Sequence, residues 1–132
     1  MTLFKLEIIT PDKVFFDGEV ENVIVRTTVG DKGILARHEP YVAALPIGKL
    51  KVKIDGQFRV AAISEGVIKV SSDKTVILAQ SCEWGDEIDL ERAEAAKRKA
   101  EEKMEQSEDK EYLIAEYKLK RAINRIETYN MK

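Results

Sequence analysis

The last 47 residues of this 132-residue chain contain neither glycine nor proline, the two residues that most often interrupt regular secondary structure. All seven glycines and all three prolines lie at or before Gly85. Half of residues 85–132 are charged, against 35% of the whole chain. The sequence therefore divides near Trp84-Gly85 into residues 1–84 and residues 85–132, which for this length fits one domain with a small appendage.

Residues 1–84 are rich in short strand patterns. Phe4, Leu6 and Ile8 alternate with charged residues, as in a strand with one buried face. Asp55-Gly56 separates two strand-like segments and is a strong hairpin signal. We place further turns at Asp17-Gly18 and within residues 30–33. About eight to ten strands with closely spaced turns predict an all-β sandwich or barrel.

Residues 85–132 carry the pattern of two helices. Asp89 is a good N-cap, and small apolar residues recur from there at spacings of three and four down to about Glu105. Residues 106–109 form a short polar connector, so we expect the second helix to run antiparallel to the first. Its apolar seam has the spacing of a coiled coil and consists of Tyr112, Ala115, Leu119, Ala122, Ile126 and Tyr129.

The first helix contributes mainly alanines to this seam. One buried methyl group contributes on the order of 0.8 kcal/mol, so a helix pair joined through alanines is marginally stable. We therefore expect the hairpin to need a partner or a ligand. A folded hairpin and a more open, extended form compete in such a sequence.

Cations cluster beside the seam. Lys118, Arg121 and Arg125 are spaced three and four residues apart, and folding the hairpin brings Arg92 of the first helix near Arg125. Like charges so close repel, which favours opening unless a bound anion such as a polyphosphate compensates. The alternative interpretation is a set of solvated faces in which the cations pair with neighbouring acids, namely Glu91, Glu94, Glu101 and Glu116.

Several functional classes are excluded by composition. The net charge of −2 gives no global field for binding nucleic acid or inserting into anionic lipid. Cys82 and His38 are the only residues of their types, so a disulfide, a thiolate metal cluster and a catalytic triad lack their components. We expect no metal, no catalytic cofactor and no enzymatic activity. We assign His38 to a loop, and the absence of a leader or membrane-spanning pattern favours a soluble intracellular protein.

Four segments resemble one known family. Residues 30–40, Gly-Asp-Lys-Gly-Ile-Leu-Ala-Arg-His-Glu-Pro, are similar to the Gly-x-x-Gly-Ile-Leu-x-x-His-x-Pro segment of the ε subunit of bacterial F-type ATP synthases. Residues 62–70, 73–80 and 88–93 also resemble that family, the last carrying its Ile/Leu-Asp-x-x-Arg-Ala motif. The likeness extends from end to end of the chain.

The resemblance implies a β-plus-α fold whose two parts have different functions. Residues 1–84 would form a β-sandwich of about ten strands that contacts the γ subunit and the membrane ring of c subunits. Residues 85–132 would form a switchable, antiparallel two-helix hairpin that opposes ATP hydrolysis when it extends into the catalytic α/β head. The subunit would be a noncatalytic part of the rotating central stalk that couples proton translocation to ATP synthesis, peripheral to the cell membrane on its cytoplasmic side.

Some members of that family bind ATP on the folded hairpin as a regulatory ligand, and the resemblance carries the positions over. Ile88 and Ala93 would flank the adenine, Asp89 would accept a hydrogen bond from its amino group, and Glu83 would complete the base pocket. Phosphate ligands would be Arg92, Arg121 and Arg125. Lys99 stands where ATP-binding relatives have arginine, and a lysine cannot provide the bidentate fork.

A different class of protein remains open at this point. A freestanding, nucleotide-sensing β-sandwich with a helical lid would show the same two-part sequence. The two hypotheses differ in their partners, because only the stalk subunit requires a stoichiometric complex with a γ-type chain.

Overall fold

The computed structural model describes residues 2–132 and consists of a ten-stranded β-sandwich followed by two antiparallel helices. This confirms the predicted fold class and selects the sandwich over the barrel. The strands are β1 Phe4–Ile9, β2 Val14–Val20, β3 Asn22–Thr27, β4 Gly30–Ile34, β5 Tyr41–Leu45, β6 Gly48–Ile54, β7 Gln57–Ile63, β8 Gly66–Val70, β9 Thr75–Ala79 and β10 Cys82–Trp84. The helices are α1 Leu90–Gln106 and α2 Asp109–Met131, and a 3-10 turn at Gly85–Glu87 precedes α1.

Two five-stranded sheets face each other. The first sheet has the order β2-β1-β9-β8-β5, and the second sheet has the order β10-β7-β6-β3-β4. All neighbouring strands are antiparallel except β1 and β9, which pair in parallel with Leu6 opposite Thr75. The core between the sheets is built from branched aliphatic side chains with no exposed surface, among them Leu6, Ile34, Leu50 and Ile77. The period-2 pattern in the sequence reflects this single buried face of each sheet.

The predicted turn at Asp17-Gly18 is wrong. These residues lie inside β2, where Gly18 pairs with Leu6 of β1, and the chain instead passes from the first sheet to the second at Glu21, between β2 and β3. A Cβ atom at Gly18 would lie 3.3 Å from the ring of Phe16. The glycine therefore makes room for an aromatic side chain on the same strand rather than forming a turn.

The predicted turn within residues 30–33 is also displaced. Gly30 opens strand β4 with a φ of 121°, and residues 31–34 pair with β3, so the reversal lies at Thr28-Val29. The Thr27 hydroxyl donates to the Gly30 carbonyl at 2.7 Å and closes this turn. At Asp55-Gly56 the prediction is confirmed, because both residues have positive φ, 50° and 78°, as a type I′ hairpin requires.

The predicted start of the first helix is confirmed. The Asp89 carboxylate accepts a hydrogen bond from the Arg92 backbone N–H at 3.1 Å, which is the N-cap contact. At the other end, Ser107 and Glu108 have extended backbones, and Asp109 begins α2 with a φ of 54°. A non-glycine residue in this left-handed region carries a local conformational cost. No helix among residues 2–132 is long and apolar enough to cross a membrane.

Helix α2 has two buried faces, and the apolar spacing in the sequence predicted only one of them. Ala115 and Ala122 are buried where α2 packs on α1. Asn124 and Thr128 are buried where α2 lies on the second sheet and on the 3-10 turn. The predicted seam is less closed at its outer end, since Tyr112 remains 37% exposed.

Candidate anion-binding groove

A cavity of about 550 Å³ lies between α1 and α2, and we call it the interhelical groove. Alanines line both of its helical walls, Ala96 and Ala100 from α1 and Ala115 and Ala122 from α2. Spacings of four residues on α1 and seven residues on α2 place these small side chains on one stripe of each helix. Because they are so short, the space between the helix backbones stays open.

Longer cationic side chains also line this groove. There are six of them, three from each helix, against a single acidic residue, Glu111. The cations are Arg92, Lys99, Lys103, Lys118, Arg121 and Arg125. The structure thus brings together the four phosphate-binding positions expected from the family resemblance, and it places the predicted neighbours Arg92 and Arg125 on the same groove.

Five of these six cations form no ion pair within 4 Å among residues 2–132. The exception is Arg125, which donates to both carboxylate oxygens of Glu83, at 2.6 Å and 3.1 Å. Arg121 contacts the Ser81 hydroxyl at 3.5 Å and lies 5.9 Å from the ring of Tyr117. The pKa of Tyr117 is raised mainly by burial, and to a smaller extent by its hydrogen bond with Glu65. The groove therefore carries an excess of uncompensated positive charge.

The base-binding positions of the expected ATP site do not line the groove, although Glu83 contacts the groove residue Arg125. Ile88 is 5% exposed and Ala93 is fully buried, in a cluster with Ala62 that Ile126 and Tyr129 cover. Asp89 is exposed but serves as the N-cap of α1, and Glu83 is engaged by Arg125. An adenine could reach Ile88 and Ala93 only after the covering side chains moved aside.

Three residues that the sequence reading missed hold α2 on the sandwich, and we call them the docking clasp: Lys49, Asn124 and Glu127. The Asn124 side-chain amide donates to the Gly48 carbonyl at 2.8 Å. The Lys49 ammonium donates to Asn124 Oδ1 at 3.3 Å and to the Glu127 carboxylate at 2.8 Å. Helical spacing gave no signal for this contact, because the face that holds Asn124 and Thr128 also carries the charged residues Lys120 and Glu127. Polar residues are buried only when they find partners, and here the partners lie on the sandwich.

The 3-10 turn between the two parts is fastened to the sandwich. The guanidinium of Arg59 lies 4.1 Å from the centre of the Trp84 ring and donates to Asp86 at 3.1 Å and to Glu87 at 3.3 Å. Gly85 is buried, and a Cβ there would lie 2.9 Å from the Thr128 carbonyl oxygen. The 3-10 turn is therefore held on the sandwich up to Glu87, and the next residue, Ile88, is buried in a cluster with Ala62 of β7.

The outer face of the first sheet exposes a different surface. Five apolar side chains on five adjacent strands are successive partners in the register and form what we call the apolar row: Ala44, Val67, Leu78, Ile9 and Val14. Val14 is 56% exposed and Leu78 is 48% exposed. A contiguous apolar surface of this kind marks an interaction site more often than a free surface.

The remaining predicted features lie away from the groove. His38 is half-buried in the loop between β4 and β5, where its Nδ1 lies 2.7 Å from the Glu39 carbonyl oxygen. Cys82 is buried in β10 as a free thiol. Among residues 2–132 no group of three or more histidines, cysteines or acidic residues is arranged to hold a metal ion.

Two known protein families together match almost the whole chain. The family described as "ATP synthase, Delta/Epsilon chain, beta-sandwich domain" matches residues 3–85, and "ATP synthase, Delta/Epsilon chain, long alpha-helix domain" matches residues 86–130. The chain belongs to the ATP synthase epsilon-subunit family. The resemblance found in the sequence motifs is confirmed.

Full-length relatives support the same assignment of this epsilon-type subunit. The "ATP synthase epsilon chain" of Ruminococcus albus is 47% identical over 134 residues, covering 100% of both chains. That of Caldicellulosiruptor saccharolyticus is 45% identical and covers 96% of this chain and 93% of its own. That of Bacillus licheniformis is 45% identical and covers 96% of this chain and 98% of its own.

Solved structures with the same fold come from mitochondrial ATP synthases. A chain in the Euglena gracilis mitochondrial ATP synthase, solved with OSCP, F1 and the c-ring, superposes with a TM-score of 0.79 at 25% identity and covers 91% of this chain and 77% of its own. A chain in the central stalk and c-ring of Tetrahymena thermophila mitochondrial ATP synthase has a TM-score of 0.60 at 17% identity and covers 97% and 94%. The second likeness concerns the fold alone.

Proposed function

We propose that this protein is a noncatalytic subunit of the rotating central stalk, which couples proton translocation to ATP synthesis. Its helical hairpin acts as a switch that opposes ATP hydrolysis in the extended state. The observation that carries the proposal is the match to epsilon chains over the full length of both proteins. The subunit would sit at the cytoplasmic side of the cell membrane through its partners, without inserting into lipid.

The apolar row supports a protein partner on the sandwich. Exposed valine and leucine side chains spanning five strands offer a flat apolar surface of the type that a γ subunit would cover. The Euglena gracilis ATP synthase was solved together with its c-ring, which supports a c-ring contact for this chain as well. We assign the sandwich to binding the γ subunit and the c-ring, and the extended hairpin to the α/β head.

The contrast between the two attachments of the hairpin supports a switch. Helix α1 packs on α2 through alanines, and α2 is held on the sandwich by the polar docking clasp and the Arg125–Glu83 ion pair. A hydrogen bond of this kind contributes only about 1 kcal/mol of net free energy, and an ion pair that is partly exposed contributes less. The hairpin can therefore leave the sandwich without disrupting the core between the sheets.

We further propose that ATP binds the folded hairpin as a regulatory ligand. Its phosphates would lie between Arg92, Lys99, Arg121 and Arg125, which line one groove. The adenine would insert beside Ile88 and Ala93, where Asp89 retains a second carboxylate oxygen to accept from the amino group and Glu83 borders the base. A ligand that binds only the folded state stabilises it by mass action.

Co-purification tests the stalk assignment. The tagged chain should retain a γ-type subunit in stoichiometric amount, and replacing Leu78 and Val14 of the apolar row by aspartate should abolish this complex without unfolding the sandwich. Lys69→Asp, a polar change on the same outer face, is the matched control. A monomer that never associates would favour the freestanding nucleotide sensor instead.

Deletion of residues 86–132 tests the inhibitory switch. In the assembled ATP synthase, the truncated subunit should give faster ATP hydrolysis than the full chain, because the inhibitory helices are gone. An unchanged hydrolysis rate would refute the switch and leave the stalk assignment standing.

Thermal stability tests the ATP site. Millimolar ATP should raise the melting temperature of the full chain, and Arg92→Ala should remove the increase. Arg98→Ala is the matched control, since Arg98 lies on the same helix but does not line the interhelical groove. If ATP leaves the wild-type melting temperature unchanged, the ATP site is refuted.

A further inference from the structure

The cationic lining of the interhelical groove extends well beyond the positions expected to hold a triphosphate. On α1 the cations follow one stripe, Arg92, Lys99 and Lys103, with spacings of seven and four residues. Eleven residues of helix rise by about 16 Å, which is longer than a triphosphate group. Lys103 and Lys118, together with Ser107 at the end of α1, form what we call the distal part of the groove.

The distal part has the chemistry of a phosphate site. Neither Lys103 nor Lys118 forms an ion pair within 4 Å among residues 2–132, so both ammonium groups are available to a ligand. The adjacent wall is formed by Ala100 and Ala115, whose small side chains leave room between the two rows of cations. Glu111 is the sole acidic residue in the lining, so the side chains that line the groove carry a net positive charge.

The groove lining contains none of the residues expected to recognise the adenine base of a nucleotide. The four base-binding positions do not line it, and two of them, Ile88 and Ala93, are buried beneath Ile126 and Tyr129. Lysine and arginine recognise phosphate oxygens by charge and hydrogen bonding without regard to what the phosphate is attached to. The groove in this structure is therefore complementary to a linear chain of phosphates along its whole length.

We infer that the interhelical groove binds inorganic polyphosphate, with Lys103 and Lys118 forming a distal subsite that a nucleoside triphosphate does not reach. This inference rests on the phosphate-binding groove of the proposed function and extends it to a longer, base-free ligand. Such a ligand holds the two cationic helices together and stabilises the folded hairpin, since it neutralises charges that repel each other.

Calorimetric titration of the full chain with three probes tests the inference: ATP, inorganic tripolyphosphate and a medium-chain inorganic polyphosphate. The wild type should bind polyphosphate roughly tenfold or more tightly, per chain molecule, than tripolyphosphate. The double variant Lys103→Gln with Lys118→Gln should bind polyphosphate no more tightly than tripolyphosphate, with ATP affinity changed less than about threefold. Lys97→Gln with Lys110→Gln, which removes two lysines outside the groove lining, should leave all three affinities near the wild type.

The outcomes separate this inference from the ATP proposal. Binding of ATP without binding of polyphosphate would overturn the inference and leave the ATP site standing. Binding of polyphosphate alone would support the inference and refute the ATP site. An equal loss of polyphosphate affinity in the control variant would mean general charge attraction and would overturn the distal subsite, as would polyphosphate affinity equal to that of tripolyphosphate.

Discussion

The sandwich and the hairpin are stabilised by different kinds of side chain. Between the two sheets, leucine, isoleucine and valine are fully buried, whereas the interface between the helices buries alanines such as Ala100 and Ala115. Alanine gains little free energy from burial but permits close approach and easy separation. This difference is what the proposed switch requires, namely a permanent platform that carries an element able to separate from it, and four predictions test the comparison.

The largest effect is expected in the sandwich core. Leu50→Ala removes a side chain with no exposed surface and should lower the free energy of unfolding by about 3 kcal/mol, through lost burial and a residual cavity. Chemical denaturation followed by circular dichroism measures this loss. Leu113→Ala, at a leucine on α2 that is 62% exposed, should change stability by less than about 0.5 kcal/mol. Equal losses in both variants would contradict the comparison.

The next effect belongs to the docking clasp. Asn124→Ala leaves the Gly48 carbonyl without its 2.8 Å donor and should weaken the attachment of α2 by about 2 kcal/mol. Hydrogen exchange should then accelerate in the two helices while the core strands stay protected. Asn130→Ala, an exposed asparagine on the same helix, is the control. If the strands lose protection together with the helices, the hairpin is not an independent unit.

The lone thiol gives a pH-dependent test of the sandwich. Burial, with a smaller contribution from Glu83, raises the pKa of Cys82 to about 12 from an ordinary value of 9.0. The folded state therefore keeps its proton over a range in which the unfolded chain loses it. This contribution to stability is complete below pH 9.0 and is lost as the pH rises toward about 12.

At about pH 10 the loss should reach roughly 1.4 kcal/mol relative to neutral pH. Comparing denaturation curves of the wild type and Cys82→Ala across this range isolates the thiol from lysine and tyrosine titration. A thiol reagent should label Cys82 at the rate of sandwich unfolding, not of hairpin opening. Identical pH dependence in the two proteins would show that the thiol is not buried as described.

The smallest effect concerns the connector between the helices. Asp109 has a φ of 54°, so Asp109→Gly should relieve a cost of about 1 kcal/mol in the hairpin and also disfavour a continuous helix. Glu108→Gly is the matched control. Glu108 is already extended, at φ −133°, so a glycine there relieves no backbone cost in the hairpin and only disfavours the continuous helix. Spin labels at Glu94 and Lys120, in a Cys82→Ala background, measure the short and long distances of the two forms. A larger shift in the control variant would refute the role of Asp109.

The sequence predicted features that depend on local periodicity. The alternation of apolar and polar residues predicted the strands of the sandwich. The N-cap at Asp89 and the Asp55-Gly56 hairpin were located correctly because each is determined by neighbouring residues. The turns at Asp17-Gly18 and residues 30–33 were wrong because a glycine can also make room for an aromatic ring or open a strand. Local sequence does not distinguish these uses.

The groove was predictable in part for the same reason. The row of cations on α2 and its proximity to Arg92 followed from helical spacing and the short connector. The docking clasp was not predictable, since Lys49 and Glu127 are 78 positions apart and meet only through the tertiary fold. The burial of Ile88 and Ala93 under Ile126 and Tyr129 likewise depends on how α2 lies on the sandwich. The ligand site residues taken from the family resemblance stay predictions.

The contacts of Arg59 with the 3-10 turn bear on where an extended hairpin would begin. If Gly85–Glu87 stayed attached to Arg59 while Ile88 left its cluster with Ala62, an extending arm would pivot after Glu87 and not at the end of the last strand. If residues 90–131 merge into one helix, at 1.5 Å per residue the arm measures about 63 Å from pivot to tip. The number of residues would then set the reach of the arm, and the contacts of Arg59 with Asp86 and Glu87 would set where the arm begins.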